Sequence, residues 1–373
     1  MDFLPKTLGT RPRLAVEIRP EGVVAARAED ASALLTSVAR ADLAEGAVAP
    51  GLKGGNIVDK AAVTAAVRKV LDAVSGRGLE RGERTGGRLR DATLVVPDSA
   101  ARVLFVDFDQ LPAKVAEALP VVRFRLKKLL PFDADDAVVS YQVMSNEKGL
   151  VKLLAVAMPR AVLEEYEGVV MAAGYLPGAV LPSTLAALAG LAEVEAPSLV
   201  VNAGMGAVTT AIVQGGTLML HRSVDMSSAA DVPVAIAAAI PLVDRESTAQ
   251  EWAQQEPLGP GGWDRFDAAA AMQTSVLETA LLRDAEVSAT AREVAQGVSV
   301  AAAYFEDSLQ HAPEELLVAG TLGAEALAGL MDESGLEGLV VREIVDASMM
   351  EAGAVTASVP RGWLAGVRGA LRN

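Results

Sequence analysis

The sequence contains no cysteine and only two histidines among its 373 residues. Without thiols the chain can form neither disulfides nor thiolate metal sites, and it has no cysteine nucleophile. His221 and His311 alone offer little material for a zinc site or for a Ser-His pair. We therefore expect no metal-binding residues and no catalytic residues of these classes.

Positive charge is also scarce, because 33 lysines and arginines stand against 48 aspartates and glutamates, for a net charge of −15. A nucleic acid partner is not expected, since proteins need positive charge to displace counterions from phosphates. The chain begins without the basic and then apolar pattern of a signal peptide. Polar residues and glycines interrupt the long uncharged run at 196–220, so we expect no transmembrane segment and a cytoplasmic location.

The apolar residues that are present indicate a large folded core with an internal repeat. Hydrophobic residues make up 51% of the chain, far too many for a disordered protein. Leu14 and Leu199 each begin a strand-turn-strand pattern, and they lie 185 residues apart (199 − 14). Two related α/β lobes that face a cleft would produce such a repeat.

The local patterns predict several further elements. Apolar residues at helical spacing follow Asp59, a predicted N-cap, over residues 62–74. A helix is also predicted over 115–130, an edge strand over 340–344 and a terminal helix over 363–371. Residues 31–58 are ambiguous.

Three glycine-containing turns form a candidate phosphate site. A strand, a glycine-rich turn and a second strand can present backbone N–H groups to a phosphate. In the actin-like ATPase architecture this happens once in each lobe, and a later glycine-rich loop lies against the adenosine. The matching positions are Glu17, Arg19 and Gly22 in the first turn, Asn202, Gly204, Gly206 and Thr209 in the second, and Gly320, Thr321 and Gly323 in the late loop.

The segment 93–144 carries a more specific resemblance. Its strand ends at Pro97, the run at 119–132 reads LPVVRFRLKKLLPF, and an acidic stretch precedes Tyr141. This segment resembles the PilM family, the cytoplasmic actin-like proteins of type IV pilus assembly. In that family a strand that ends in proline leads into a small inserted subdomain. The resemblance covers residues 12–222 and 290–371.

The resemblance implies an α/β, two-lobed actin-like ATPase fold with an inserted α+β subdomain. The first lobe would comprise residues 1–97 and 182–196 with the C-terminal helix 360–373, the inserted partner-binding subdomain 98–181, and the second lobe 197–359, in which 223–290 would be a variable, mostly helical subdomain.

The resemblance also implies a function. Members of the family are scaffolds of the pilus inner-membrane complex, peripheral to the inner face of the cytoplasmic membrane, and hold the N-terminal cytoplasmic tail of PilN, a bitopic membrane protein. Carried over to this chain, the partner-binding residues are Arg123, Arg125, Lys127, Phe132 and Tyr141. By the residues alone, the basic side chains could equally form the solvated face of an ordinary helix.

The departures from the family fall on the nucleotide site. Pro20 removes a backbone donor from the first turn. Asn202 stands where the family has aspartate, and a neutral amide holds a Mg²⁺-bound water less well than a carboxylate does. We expect no ATP turnover, and binding of Mg-ATP stays open. The alternatives are an active ATPase or sugar kinase of the same fold, an actin-like protein of a type II secretion system, or a polymerising membrane-associated filament.

Overall fold

The computed structural model describes residues 12–76, 90–147, 149–191, 195–226, 291–334, 338–351 and 359–372. The described residues up to Asp225 and from Val294 onward form one compact unit. The predicted helical subdomain at 223–290 therefore falls almost wholly outside the described residues. Within those residues, no helix is both long enough and apolar enough to cross a membrane.

The first lobe is built on a five-stranded sheet in which the strand order is β3-β2-β1-β4-β8. The first three strands run antiparallel, and β4 and β8 continue the sheet in parallel. The central strand β1 is buried on both faces. The strands are β1 (Leu14–Arg19), β2 (Gly22–Ala28), β3 (Leu35–Asp42), β4 (Arg90–Val96) and β8 (Tyr175–Pro182).

The second lobe repeats this arrangement, with the order β11-β10-β9-β12-β13 and the same sequence of antiparallel and parallel pairs. Glu17 on β1 and Asn202 on β9 are 185 residues apart (202 − 17), so they occupy equivalent positions. The predicted repeat is therefore confirmed at the level of the sheets. The strands are β9 (Ser198–Ala203), β10 (Ala207–Gln214), β11 (Thr217–Asp225), β12 (Glu315–Gly320) and β13 (Val340–Glu343).

Helices cover both faces of the first sheet because its central strands carry apolar residues on both faces. Val16 and Ile18 pack with helices α1 (Lys60–Ser75) and α3 (Arg160–Ala172). Ala15 faces helices α4 (Ser183–Ala189) and α7 (Leu364–Leu371), whose core also contains residues of the second sheet. The described part of the second lobe adds helix α5 over residues 291–309 and helix α6 (Ala324–Glu333). Short 3-10 turns occupy Asp98–Ala100, Ala347–Met349 and Arg361–Trp363.

The inserted subdomain is a three-stranded antiparallel sheet with one helix on one face, which confirms its predicted α+β character. Its strands β5 (Arg102–Phe108), β7 (Leu150–Pro159) and β6 (Ala137–Glu147) lie in that order. Helix α2 (Val115–Leu126) is shorter than predicted and contains Pro120.

The predicted end of this insertion, residue 181, is wrong. Strand β8 pairs with β4 from Arg90–Tyr175 to Val96–Pro182, so it belongs to the first sheet. Helix α3 packs on the same sheet through the buried Tyr166. The chain therefore returns to the first lobe after Pro159, because the apolar face of α3 finds its core there and not on the inserted sheet.

The last helix depends on glycine for its close approach to α4. A Cβ atom on Gly369 would lie 1.8 Å from the carbonyl oxygen of Ala186. The helix is buried along its length, as its predicted packing against the first lobe requires.

Replacing Gly369 with alanine should lower the free energy of unfolding by about 2 kcal/mol or more, because α7 must move away from the backbone of α4. Gly329 is the matched control, since it lies within α6 and a Cβ atom there meets nothing within 4 Å. Gly329→Ala should raise stability by about 0.5–1 kcal/mol through helix propensity. Urea denaturation of both variants measures the difference, and equal effects would contradict the close packing of α7.

Candidate functional site

The three predicted loops meet at one cleft between the lobes. Its cavity volume is about 40 Å³, which is room for only a few water molecules, and it is partly open to solvent. Its lining includes Arg19, Glu21, Asp98, Ser183, Asn202 and Gly204. The cleft therefore joins the β1–β2 turn of the first lobe to the β9–β10 turn of the second.

A buried ion pair lies at the base of this cleft. The side chain of Glu17 is fully buried, and its Oε1 lies 2.6 Å from Nη2 of Arg19. Ser183 Oγ donates a hydrogen bond to the same oxygen at 2.6 Å. The other oxygen, Oε2, has no partner among the described residues. Burial raises the pKa of Glu17, and the guanidinium of Arg19 offsets part of that effect.

Arg19 extends from the first lobe to the second. Its Nη2 donates to Ser183 Oγ at 2.9 Å, and both Nη1 and Nη2 lie 3.5 Å from Oδ1 of Asn202. The guanidinium is therefore surrounded by a carboxylate, a hydroxyl and an amide oxygen. These oxygen atoms are of the kind that would otherwise ligate a divalent cation or its waters.

Asn202 uses its amide nitrogen as well as its oxygen. Its Nδ2 has two hydrogens to donate and three acceptors within range, which are Ser183 Oγ at 2.9 Å, Thr184 Oγ1 at 3.0 Å and Asp98 Oδ2 at 3.3 Å. An aspartate at 202 could make none of these donations and would bring a second carboxylate against Asp98, which like-charge repulsion disfavours. The neutral residue is thus explained by its neighbours.

Sequence reasoning missed Asp98 and the hydroxyls around it. Asp98 follows the Pro97 that ends β4, and it accepts hydrogen bonds from Thr184 N at 3.0 Å and from Thr184 Oγ1 at 2.5 Å. It therefore caps helix α4 from a distance of 86 residues along the chain. The strand-ending proline was the only local signal for this position.

Glu21, which was also absent from the predicted site, contacts the other two loops. Its Oε1 accepts from the backbone N–H of Met205 at 2.6 Å and from Thr321 Oγ1 at 2.8 Å. Gly204 leaves room for this carboxylate, because a Cβ atom there would lie 3.0 Å from the same oxygen. One side chain of the first lobe thus bonds to both glycine-containing loops of the second.

Of the remaining residues predicted to bind a cofactor, Gly22 and Thr209 make contacts within the two sheets. Gly22 permits the approach of β3, because its Cβ atom would lie 2.5 Å from the carbonyl oxygen of Ala41. Thr209 shares a hydrogen bond with Ser223 within the second sheet at 3.0 Å. Gly206 lines the cleft. The structure therefore brings Glu17, Arg19 and Asn202 into one network, joins Thr321 to Glu21 in a second, and leaves Gly22 and Thr209 outside both.

The late loop turns its N–H groups toward the protein. Gly320 has φ +98°, and a Cβ atom there would lie 2.2 Å from the carbonyl oxygen of Ala203. The N–H groups of Thr321 and Leu322 both donate to that same oxygen, at 2.8 and 3.3 Å. Gly323 has φ +78° and begins helix α6. Neither of these two donors is directed at a ligand.

These residues do not fit a Mg-nucleotide complex, which the actin-like family would place in this cleft. The guanidinium of Arg19 lies between Glu17 and Asn202, and Glu21 already holds the Met205 N–H and the Thr321 hydroxyl.

The five predicted partner-binding residues lie on the α2 side of the inserted subdomain. Arg123 donates to the carbonyl oxygens of Ala134 and Ala137, so it fixes the loop between α2 and β6. Lys127 pairs with Asp135 at 2.5 Å. Phe132 and Tyr141 are half-buried against the core that faces α2, and Arg125 is exposed.

A second cavity lies on the opposite face of the inserted sheet. Its cavity volume is about 70 Å³, it is partly open to solvent, and it lies between this face and the first lobe. Its lining is almost entirely apolar, and none of the five predicted residues contributes to it. We call it the β6–β8 groove; it is lined by Val138, Ser140, Val156, Met158, Leu163 and Val180, among others.

The chain is similar in fold to several solved structures. A chain of the PilM-PilN type IV pilus biogenesis complex matches with a TM-score of 0.66 at 15% identity, over 98% of this chain and 99% of that one. The ethanolamine utilization protein EutJ from Carboxydothermus hydrogenoformans matches with a TM-score of 0.44 at 12% identity, over 100% and 95%. The cytoplasmic domain of EpsL, from the type II secretion system of Vibrio cholerae, gives 0.35 at 14% identity, over 66% and 78%.

The match to the PilM-PilN complex confirms the predicted actin-like, PilM-like fold. No protein-family model and no curated protein matches the sequence.

Replacing Asp98 with alanine should lower the free energy of unfolding by about 2–4 kcal/mol, because several buried donors lose their acceptor. The matched control is Asp107→Ala on the exposed side of β5, where a change within about 0.5 kcal/mol is expected. Chemical denaturation measures both. Similar small effects for the two variants would show that Asp98 does not organise the cleft.

The buried carboxylate of Glu17 predicts a pH dependence. Because burial raises its pKa above 4.5, the folded chain retains this proton at pH values where the unfolded chain has lost it. Relative to a Glu17→Gln variant, the unmutated chain should therefore gain stability as the pH is lowered from about 7 to about 5. Thermal unfolding of both proteins across this range tests the sign, and a relative loss of stability at lower pH would mean that Arg19 outweighs burial.

Proposed function

We propose that this chain is a non-catalytic scaffold of a type IV pilus inner-membrane complex, in the cytoplasm at the inner face of the membrane. In this proposal it binds the N-terminal cytoplasmic tail of a PilN-like bitopic membrane protein. The observation that carries the proposal is the full-length similarity in fold to a chain of the PilM-PilN complex.

The β6–β8 groove suits an extended apolar peptide. Strand β6 is an edge of the inserted sheet, and β8 is an edge of the first sheet. Edge strands can pair with an added strand, whose backbone then supplies affinity while side chains enter neighbouring pockets. The groove offers apolar side chains from both strands, Val138 and Val180 among them. We place the partner tail here in preference to the α2 side.

Charge supports a partner tail that carries basic residues. The chain has a net charge of −15, and segments beside the cytoplasmic face of a membrane commonly carry lysine and arginine. Long-range attraction between the two would favour their encounter and would weaken with salt.

The absence of turnover is part of the same proposal. Phosphoryl transfer depends on positioned cations and donors that stabilise charge on the phosphate. In this cleft both carboxylate oxygens of Asp98 accept hydrogen bonds from Thr184, and Glu17 is paired with Arg19. We expect the purified chain to release no phosphate from Mg-ATP above the background rate, and sustained release would contradict a scaffold without catalysis.

Partner binding can be tested by titration calorimetry with a synthetic peptide. The peptide should copy the cytoplasmic N-terminus of a PilN-like membrane protein. Ser140→Trp would fill the groove from an exposed position, and it should weaken binding at least about tenfold, which corresponds to about 1.4 kcal/mol.

Arg125→Glu and Phe132→Ala test the α2 side in the same assay. Arg123 is unsuitable because it holds the loop carbonyls of Ala134 and Ala137. Loss of affinity in these variants, with normal binding by Ser140→Trp, would place the tail on the α2 side. Equal affinity in all three would count against the inserted subdomain as the site, and no binding by the unmutated chain would overturn the proposed partner.

A further inference from the structure

We propose that Arg19 and Glu21 are built-in ligands of the interlobe cleft. Their side chains take the roles that a divalent cation and a phosphate have in nucleotide-binding members of the fold, and they hold the cleft closed without nucleotide. The inference does not depend on the proposed partner, because it concerns contacts within the chain and is tested on the chain alone.

The carboxylate of Glu21 makes the contacts expected of a phosphate oxygen. It accepts from a backbone N–H in the β9–β10 turn, that of Met205, and from the hydroxyl of Thr321 in the late loop. Backbone N–H groups of glycine-containing turns and nearby hydroxyls are the donors that such loops offer to anions. A nucleotide phosphate would have to displace Glu21 to reach them.

The guanidinium of Arg19 makes the contacts expected of a cation. Oxygen atoms surround it at 2.6 Å from Glu17, 2.9 Å from Ser183 and 3.5 Å from Asn202. Arginine stays charged under all ordinary conditions and spreads its charge over a planar group, so it can balance the ionised form of Glu17 without a metal ion. A metal ion could bind these oxygen atoms only if the Arg19 side chain moved away. The displaced guanidinium would then be buried without its partners.

Local sequence makes these internal contacts available. Pro20 fixes the backbone between Arg19 and Glu21, so the two side chains leave one rigid turn and reach different loops. Gly204 has no Cβ atom and so leaves space for the Glu21 carboxylate. Arg19, Pro20 and Glu21 depart from a nucleotide-binding turn, and the same three residues allow side chains of the protein to occupy the cleft.

A double-mutant cycle on the full-length chain tests the contact of Glu21 with Thr321. Glu21→Gln and Thr321→Val should each lower the thermal midpoint by about 2 °C or more, and the double variant should fall by clearly less than the sum. The control pairs Thr321→Val with Glu314→Gln, an exposed residue of the second lobe, and should be additive. Additive effects in the test pair would overturn the contact.

Pulsed electron paramagnetic resonance tests closure of the cleft. The chain has no native cysteine, so spin labels on Glu45→Cys and Glu325→Cys would report only the distance between exposed positions of the two lobes. With no further substitution, the doubly labelled chain should give one narrow distribution of label-to-label distances, and millimolar Mg-ATP should leave it unchanged. Adding Glu21→Gln with Thr321→Val should broaden and lengthen it.

Two results would overturn the proposal. One is an unchanged distance distribution in the folded double variant. The other is a rise in the thermal midpoint of the unmutated chain with Mg-ATP, since a ligand that binds the folded state raises its stability and would have had to enter the cleft past both side chains.

Discussion

The buried pair of Glu17 and Arg19 is the constraint on which the rest of the cleft depends. A carboxylate without access to water costs several kcal/mol unless a partner and hydrogen bonds compensate it. Arg19 supplies the opposite charge, and Ser183 donates to the same carboxylate oxygen. The amide oxygen of Asn202 accepts from Arg19, and its amide nitrogen donates toward Asp98. Ser183 and Asn202 contact the pair directly, and Asp98 and Thr184 are joined to it through Asn202.

This arrangement separates the architecture of the fold from the chemistry usually associated with it. The two matching sheets and the helices α4 and α7 between them keep the clamshell form. The loops that would bind phosphate are instead bound to each other through Glu21. A cleft that supplies its own ligands leaves the inserted subdomain and the β6–β8 groove as surfaces on which such a protein can work, which is consistent with a scaffold.

Elements whose signals are local could be predicted closely. Helix α1 begins after Asp59, whose side chain accepts from the N–H of Ala62, and its buried positions follow the predicted spacing. Strand β3 could not be assigned, because residues 31–58 show no clear alternation. The end of the insertion was misplaced for a different reason: β8 pairs with β4, and their paired residues lie 85 positions apart at Arg90 (175 − 90) and 86 at Val96 (182 − 96).

By itself, the sequence determined most of the strands and helices, the three candidate loops and the start of the inserted segment, since periodicity and turn residues act over short distances along the chain. Only the tertiary structure decided which side chains share the cleft. Glu21 meets Thr321 across 300 residues, and Asp98 meets Asn202 across 104. No local pattern encodes such contacts, because they arise from the packing of two sheets whose strands are far apart in sequence. The same packing brings Asn202 beside Asp98, where a neutral amide is favoured over a second carboxylate.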